Sequence, residues 1–230
     1  LGDNTTGNNN TAVGNAAMNR NTTASNNTAL GYQALEENTT GNQNTAVGGF
    51  ALDASSGANE NTAMGYQSLS ACTSGEGHAA FGWKSLSATT TANDNTAFGH
   101  AAARDTTTGA ENTVVGRAAF QVNTTGSNNT VLGSNALIAN TTASNNVAIG
   151  RRAMYSNTTG TSNVAIGYQA LYTVTTNSEN VAVGYNALYN ATGSNNTAVG
   201  NEAGENMTTG YSNTCMGMRA GEELTTSYQT

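Results

Sequence analysis

One feature constrains this chain more than any other. A glycine closes a short Asn-Thr-Ala-aliphatic run at Gly14, Gly31, Gly48, Gly65, Gly82, Gly99, Gly116, Gly133, Gly150, Gly167, Gly184, Gly200 and Gly217, and every step has the same length except Gly184 to Gly200, which is one residue shorter. The period is seventeen. Self-similarity at a fixed short period means that each unit is one coil of a stack, burying its apolar side only against its neighbours. The repeat continues without a linker, so the chain reads as a single repeat domain over 1–230 that starts and ends mid-repeat. The expectation is an all-β parallel β-roll or β-solenoid of about 13 coils. Stacked at about 4.8 Å per coil, such coils would make a rod of roughly 60 Å.

Tyr32 to Gly48 serves as the type coil. Its first extended run ends at the ladder glycine, with a small residue and then a large apolar one before it, as in Ala46-Val47, Ala80-Phe81 and Ala148-Ile149. In a strand these two point to opposite faces, so one face is small and the other bulky. A second run of small-large pairs, such as Ala34-Leu35, Ser68-Leu69 and Ala170-Leu171, reads as a second short strand. It weakens to Ala203-Gly204 and Ala220-Gly221, so the coils from about residue 201 are expected to be degenerate. Polar bends such as Asn38-Thr39-Thr40-Gly41 join the runs, because Asn and Gly tolerate left-handed backbone and make local turns. The one-residue deletion falls in such a bend, between Leu188 and Thr192. A sustained helix is disfavoured by the density of Gly and Asn.

A further column holds Asn10, Asn27, Asn44, Asn61, Asn95, Asn112, Asn129, Asn146, Asn163, Asn180, Asn196 and Asn213, interrupted only by His78. Amides stacked in register can hydrogen-bond along a stack, which predicts a buried or half-buried amide ladder.

Composition excludes several classes. The periodic apolar anchors and the single lysine, Lys84, separate this polar chain from disordered ones. A net charge of -7 with only seven basic residues argues against nucleic acid as a partner. No apolar stretch is long enough to span a membrane. Cys72 and Cys215 lie some eight coils apart, too far for a disulfide within one straight stack. Both are expected to be free thiols, unless Cys72 meets a symmetry mate.

The runs Asn-Val-Ala-Ile-Gly at 146–150 and 163–167, with Asn-Val-Ala-Val-Gly at 180–184, resemble the head repeats of trimeric autotransporter adhesins of the YadA type. Variants such as Asn-Thr-Ala-Val-Gly are similar to a repeat of phage tail fibres. The resemblance covers essentially the whole chain and implies a left-handed roll, three chains about one axis and attachment at a bacterial surface or on a virion. The adhesin repeat is shorter than the period found here, and no anchor, coiled-coil stalk or C-terminal chaperone domain occurs in these residues.

Association is expected on physical grounds as well. About two bulky apolar side chains per coil cannot offset the entropy of ordering every residue in it. Either the Val/Ile/Leu side fills the coil and Ala faces outward, or Ala lies inside and the bulky residues face a shared axis. Both arrangements predict an obligate assembly, a homotrimer or a filament.

Chemistry leaves little trace. His78 and His100 occupy different columns, the adjacent acids Glu36-Glu37 and Glu222-Glu223 sit in bends, and no paired acids in one column suggest glycan hydrolysis. The Ca-binding nonapeptide repeat is absent. Adjacent Thr-Thr pairs would point to opposite sides and disfavour an ice-binding array. The column directly after the ladder glycine is the candidate ligand contact: Tyr32, Tyr66, Trp83, His100, Tyr168 and Tyr185, with Arg117 and Arg151. Its rings could grip a host-surface glycan or matrix protein, or pack between neighbouring chains. The sequence therefore reads as a non-enzymatic extracellular fibre or adhesin head segment, a rigid trimeric rod without cofactor. A self-polymerising filament and a glycan-depolymerising tail fibre are the alternatives.

Overall fold

The computed structural model describes residues 2–229; residues 1 and 230, the outermost of the expected domain, lie outside the description. Two compact units divide the chain, Leu1–Asn112 and Thr113–Thr230. The first holds strands β1 (Thr11–Val13), β2 (Thr28–Leu30), β3 (Thr45–Val47), β4 (Thr62–Met64), β5 (Ala79–Phe81) and β6 (Thr96–Phe98). The second holds β7 (Thr113–Val115), β8 (Thr130–Leu132), β9 (Val147–Ile149), β10 (Val164–Ile166), β11 (Val181–Val183), β12 (Thr197–Val199) and β13 (Thr214–Met216). No helix occurs among the described residues. The fold is the expected all-β solenoid, with one strand per coil.

Within each unit the strands pair parallel and in chain order, residue for equivalent residue, as in Thr11↔Thr28, Ala12↔Ala29 and Val13↔Leu30. The shortened coil keeps this register, with Val181↔Thr197 and Val183↔Val199, so the missing residue is absorbed outside the strand. In each described strand after β1 the middle residue is buried and the flanking two are half-buried or exposed. The small column therefore lines the coil, and the bulky strand residues face outward. Of the two packings left open by the sequence, the structure has Ala inside.

The expected second strand does not form. Residues 32–37 and their equivalents are turns, in which Gln33 (φ 53°) and Leu35 (φ 55°) both adopt left-handed backbone. The bend turns Ala34 and Leu35 inward together, both fully buried, whereas a strand would send them to opposite faces. The same conformation recurs at Met18, Leu52, Leu69 and Leu86, and at Phe120, Leu137, Met154, Leu171 and Leu188. Left-handed backbone costs an L-residue about 1–2 kcal/mol. Bonds between coils hold it in place: the Gln33 amide donates to the Asn15 carbonyl at 3.0 Å, and the Leu35 amide to the Ala51 carbonyl at 3.0 Å.

The amide ladder is present and is knitted into the backbone. The Asn44 backbone N–H donates to Asn27 Oδ1 at 2.8 Å, and Asn44 Oδ1 in turn accepts from the Asn61 N–H at 3.0 Å. Asn44 Nδ2 donates to the Ala58 carbonyl at 2.7 Å. A second amide row runs through the bends, starting at the exposed Asn4 and buried from Asn21 on, where Asn21 Nδ2 donates to Asn4 Oδ1 at 2.8 Å and Asn140 Nδ2 to Asn123 Oδ1 at 2.9 Å. Cys72 stands in this row, fully buried, its Sγ donating to the Gly75 carbonyl at 3.4 Å. Its burial removes the alternative of a thiol meeting a symmetry mate. Cys215 is also buried, and both cysteines are free.

The coils after residue 201 retain strand β13 and follow directly on β12. Where the large inward residue is missing, Gly204 takes the left-handed position (φ 60°) without a side chain to accommodate. The fully buried Met207 approaches within 3.2 Å of the space a Cβ would occupy there. The cross-section changes, but the stacking continues.

Candidate interaction face

The outward faces of the strands form the most distinctive surface. Thr-x-aliphatic runs place the first and third strand residues on one side. In the first unit that side carries Val13, Leu30, Val47, Met64, Phe81 and Phe98, with Leu30 47% and Phe98 47% exposed. Phe81 and Phe98 stack with ring centroids 4.2 Å apart. In the second unit Leu132 is 46% and Ile166 37% exposed. Strands β9 to β11 replace the outward Thr by Val147, Val164 and Val181, so both outward residues are aliphatic there. Parallel sheets normally have both faces covered, and a contiguous exposed apolar surface of this kind marks an interaction site.

The ladder glycines set the edge of this face. Each ends a strand with φ between +116° and +145°. At Gly65 a Cβ would lie 2.4 Å from the Gly82 carbonyl oxygen, so the coils approach too closely there for any side chain. The next residue emerges beside the strand face. Tyr32, Tyr66, Trp83 and Tyr185 are 52%, 48%, 40% and 50% exposed, His100 is exposed and Tyr168 half-buried.

These rings are already engaged with one another. Trp83 stacks on His100 at 4.5 Å, while Lys84 Nζ lies 4.8 Å from its ring centre. Tyr168 stacks on Tyr185 at 5.3 Å, and Arg151 sits 5.7 Å from the Tyr168 ring centre. Tyr32 and Tyr66 do not stack directly. Gly49 leaves a gap between them, and Phe50 fills it with edge-to-face contacts of 5.2 and 5.8 Å. The column thus separates into local clusters.

One group escaped the sequence reading. Tyr155, Tyr172 and Tyr189 stack at 5.1 and 4.9 Å in the second unit, half-buried in the turn, and their recurrence once per coil was the available signal. The strand-face column itself was legible from Thr, because Thr shares a face with the aliphatic residue two positions on. A face rich in Thr points out of the coil.

Among the described residues no group of three or more His, Cys, Asp or Glu could hold a metal ion, and no helix is long and apolar enough to cross a membrane. The acidic neighbours Glu36, Glu37 and Asp53 do interact: burial, helped by the two glutamates, pushes the Asp53 carboxyl up to about 6. No family model, no curated protein and no solved structure matches the chain.

Proposed function

We propose that this chain is a structural segment of an extracellular fibre or adhesin head, at a bacterial surface or on a virion, whose copies associate as a homotrimer through the outward faces of their strands. The observation that carries the reading is the aliphatic and aromatic column on a parallel-sheet face that the chain leaves uncovered. Repetition at fixed spacing lets equivalent rows meet in a symmetric assembly, as closed point-group oligomers require. The bordering column supports the same reading. Trp83 and Tyr168 have a ring on one side and a cation near the ring, so they offer edges outward, which suits packing between chains. The repeat resembles those of adhesin heads and tail fibres, and attachment to a host-surface glycan or matrix protein belongs to this proposal. The reading assigns the chain no catalytic step and no cofactor.

Light scattering coupled to size exclusion tests the assembly. The expected mass is about three times the 23.3 kDa chain. A stable species of 23.3 kDa would overturn the trimer. An open-ended distribution would replace it with polymerisation of the chain.

A further inference from the structure

We infer that His78 is an acid-sensitive joint in the first unit: as a neutral imidazole it completes the amide ladder, and its protonation breaks the ladder at that coil. The inference is independent of the proposed trimer.

His78 occupies the ladder position held by Asn61 one coil before and Asn95 one coil after, and is 1% exposed. Its backbone N–H donates to Asn61 Oδ1 at 2.9 Å, as any ladder residue does. The imidazole then reproduces both functions of the amide it replaces. Nδ1 lies 3.1 Å from the Asn95 backbone nitrogen and must accept from that N–H. Nε2 lies 2.8 Å from the Ala92 carbonyl oxygen and must donate to it. These two partners fix one tautomer, with the proton on Nε2 and a lone pair on Nδ1. The equivalent pair at Asn44 is Oδ1 accepting from Asn61 N–H and Nδ2 donating to the Ala58 carbonyl.

Protonation adds a second N–H, at Nδ1, which points at the Asn95 N–H. Two donors then face each other, and the Asn95 amide loses its acceptor in a place where both residues are 1% exposed. A buried amide left without a partner carries its full desolvation cost.

The surroundings show which effect dominates. The charged residues nearest in the chain on the three coils are Glu60 beside Asn61, Glu76 on the histidine's own coil and Asp94 beside Asn95, all exposed and acidic. Cys72, buried in the adjoining bend, is a neutral thiol pushed up to about 11 by burial. Burial is the largest influence and opposes the imidazolium, as does the Asn95 N–H aimed at Nδ1; Asp94 and the bond to the Ala92 carbonyl favour it less strongly, and the pKa falls below 6.5. The unfolded chain takes up the proton near 6.5 and the folded chain resists it. The stability that His78 contributes is therefore complete above 6.5 and declines as pH falls below it.

Asp53 lies in the same unit and acts with the opposite sign, since its raised carboxyl pKa makes protonation favour the folded state as pH falls through about 6. The wild-type pH profile contains both effects, so the test is a difference. His78→Asn restores the residue found at the equivalent position in neighbouring coils, and denaturant unfolding of wild type and variant is compared from pH 7.5 to 5. The unfolding constant of wild type is expected to rise relative to the variant by up to tenfold per pH unit below 6.5, the limit for one proton. Parallel curves would overturn the inference. NMR of the wild-type chain gives a second reading that requires no variant. The His78 ring is expected to titrate below 6.5, and in acid the protection of the Asn95 amide is expected to fall relative to that of Asn44. An ordinary titration, or equal protection at both amides, would equally overturn it.

Discussion

Gly65 and Gly217 occupy the same column but differ in what lies above them. A methyl group on Gly65 would sit 2.4 Å from the Gly82 carbonyl oxygen and 2.6 Å from its carbon, whereas nothing lies within 4 Å of one on Gly217. Both residues have positive φ, which by itself costs an alanine roughly 1–3 kcal/mol. Gly217→Ala is expected to show that strain alone. Gly65→Ala adds overlap with backbone that cannot yield, for a total on the order of 5 kcal/mol. Comparing the two denaturation midpoints checks the difference, and equal losses would mean that φ alone fixes the ladder. A second residue-scale expectation concerns Asp53, where burial is the largest cause of a pKa near 6. A raised carboxyl pKa destabilises the folded chain once the group ionises, so Asp53→Asn is expected to raise the melting temperature at pH 7.5. The gain should shrink as pH falls through 6 toward 4. A gain independent of pH would point to the Asp53 Oδ1 atom, which is buried without a hydrogen bond, as the cause.

At the scale of one coil, three devices share the work: a short strand, a corner with two left-handed residues, and the ladder asparagine at the strand entrance. The asparagine joins consecutive coils where the strands are too short to do so alone. Asn44→Ala leaves the Asn61 N–H and the Ala58 carbonyl without their partners, both in the interior of the first unit. The expected loss is on the order of 2–4 kcal/mol, read from denaturant unfolding. A loss below about 1 kcal/mol would mean that water replaces the ladder. The coil is also where sequence reading failed in part. Ala-Leu after a bend carries the small-large alternation of a strand, and intrinsic preference gives no hint that a leucine such as Leu35 will adopt left-handed backbone. Only the bonds to the coils on either side, such as Leu35 to Ala51, determine that conformation.

At the scale of the whole molecule, the uncovered strand face makes the proposed assembly sensitive to charge. In the second unit Ile149 and Ile166 are paired on strands β9 and β10, in the stretch where both outward rows are aliphatic. Changing both to lysine leaves the coil interior untouched, so the far-ultraviolet circular dichroism is expected to stay that of wild type. The mass by light scattering is expected to fall toward 23.3 kDa. An unchanged multiple of that mass would place the contact on another face.

The sequence alone determined the period, the strand that runs into each ladder glycine, and the course of the asparagine ladder, because each recurs once per coil and needs only equivalent neighbours. It also determined that small and bulky strand residues face opposite ways, since that follows from the pleat. Which of the two faces lines the coil was decided by the tertiary structure: the turns bring Ala34 and Leu35 inward together, leaving room beside them only for alanine-sized residues from most strands. The post-glycine rings likewise found their partners only in three dimensions. Phe50 reaches between Tyr32 and Tyr66 because Gly49 leaves space there, a relation between coils that no single repeat contains.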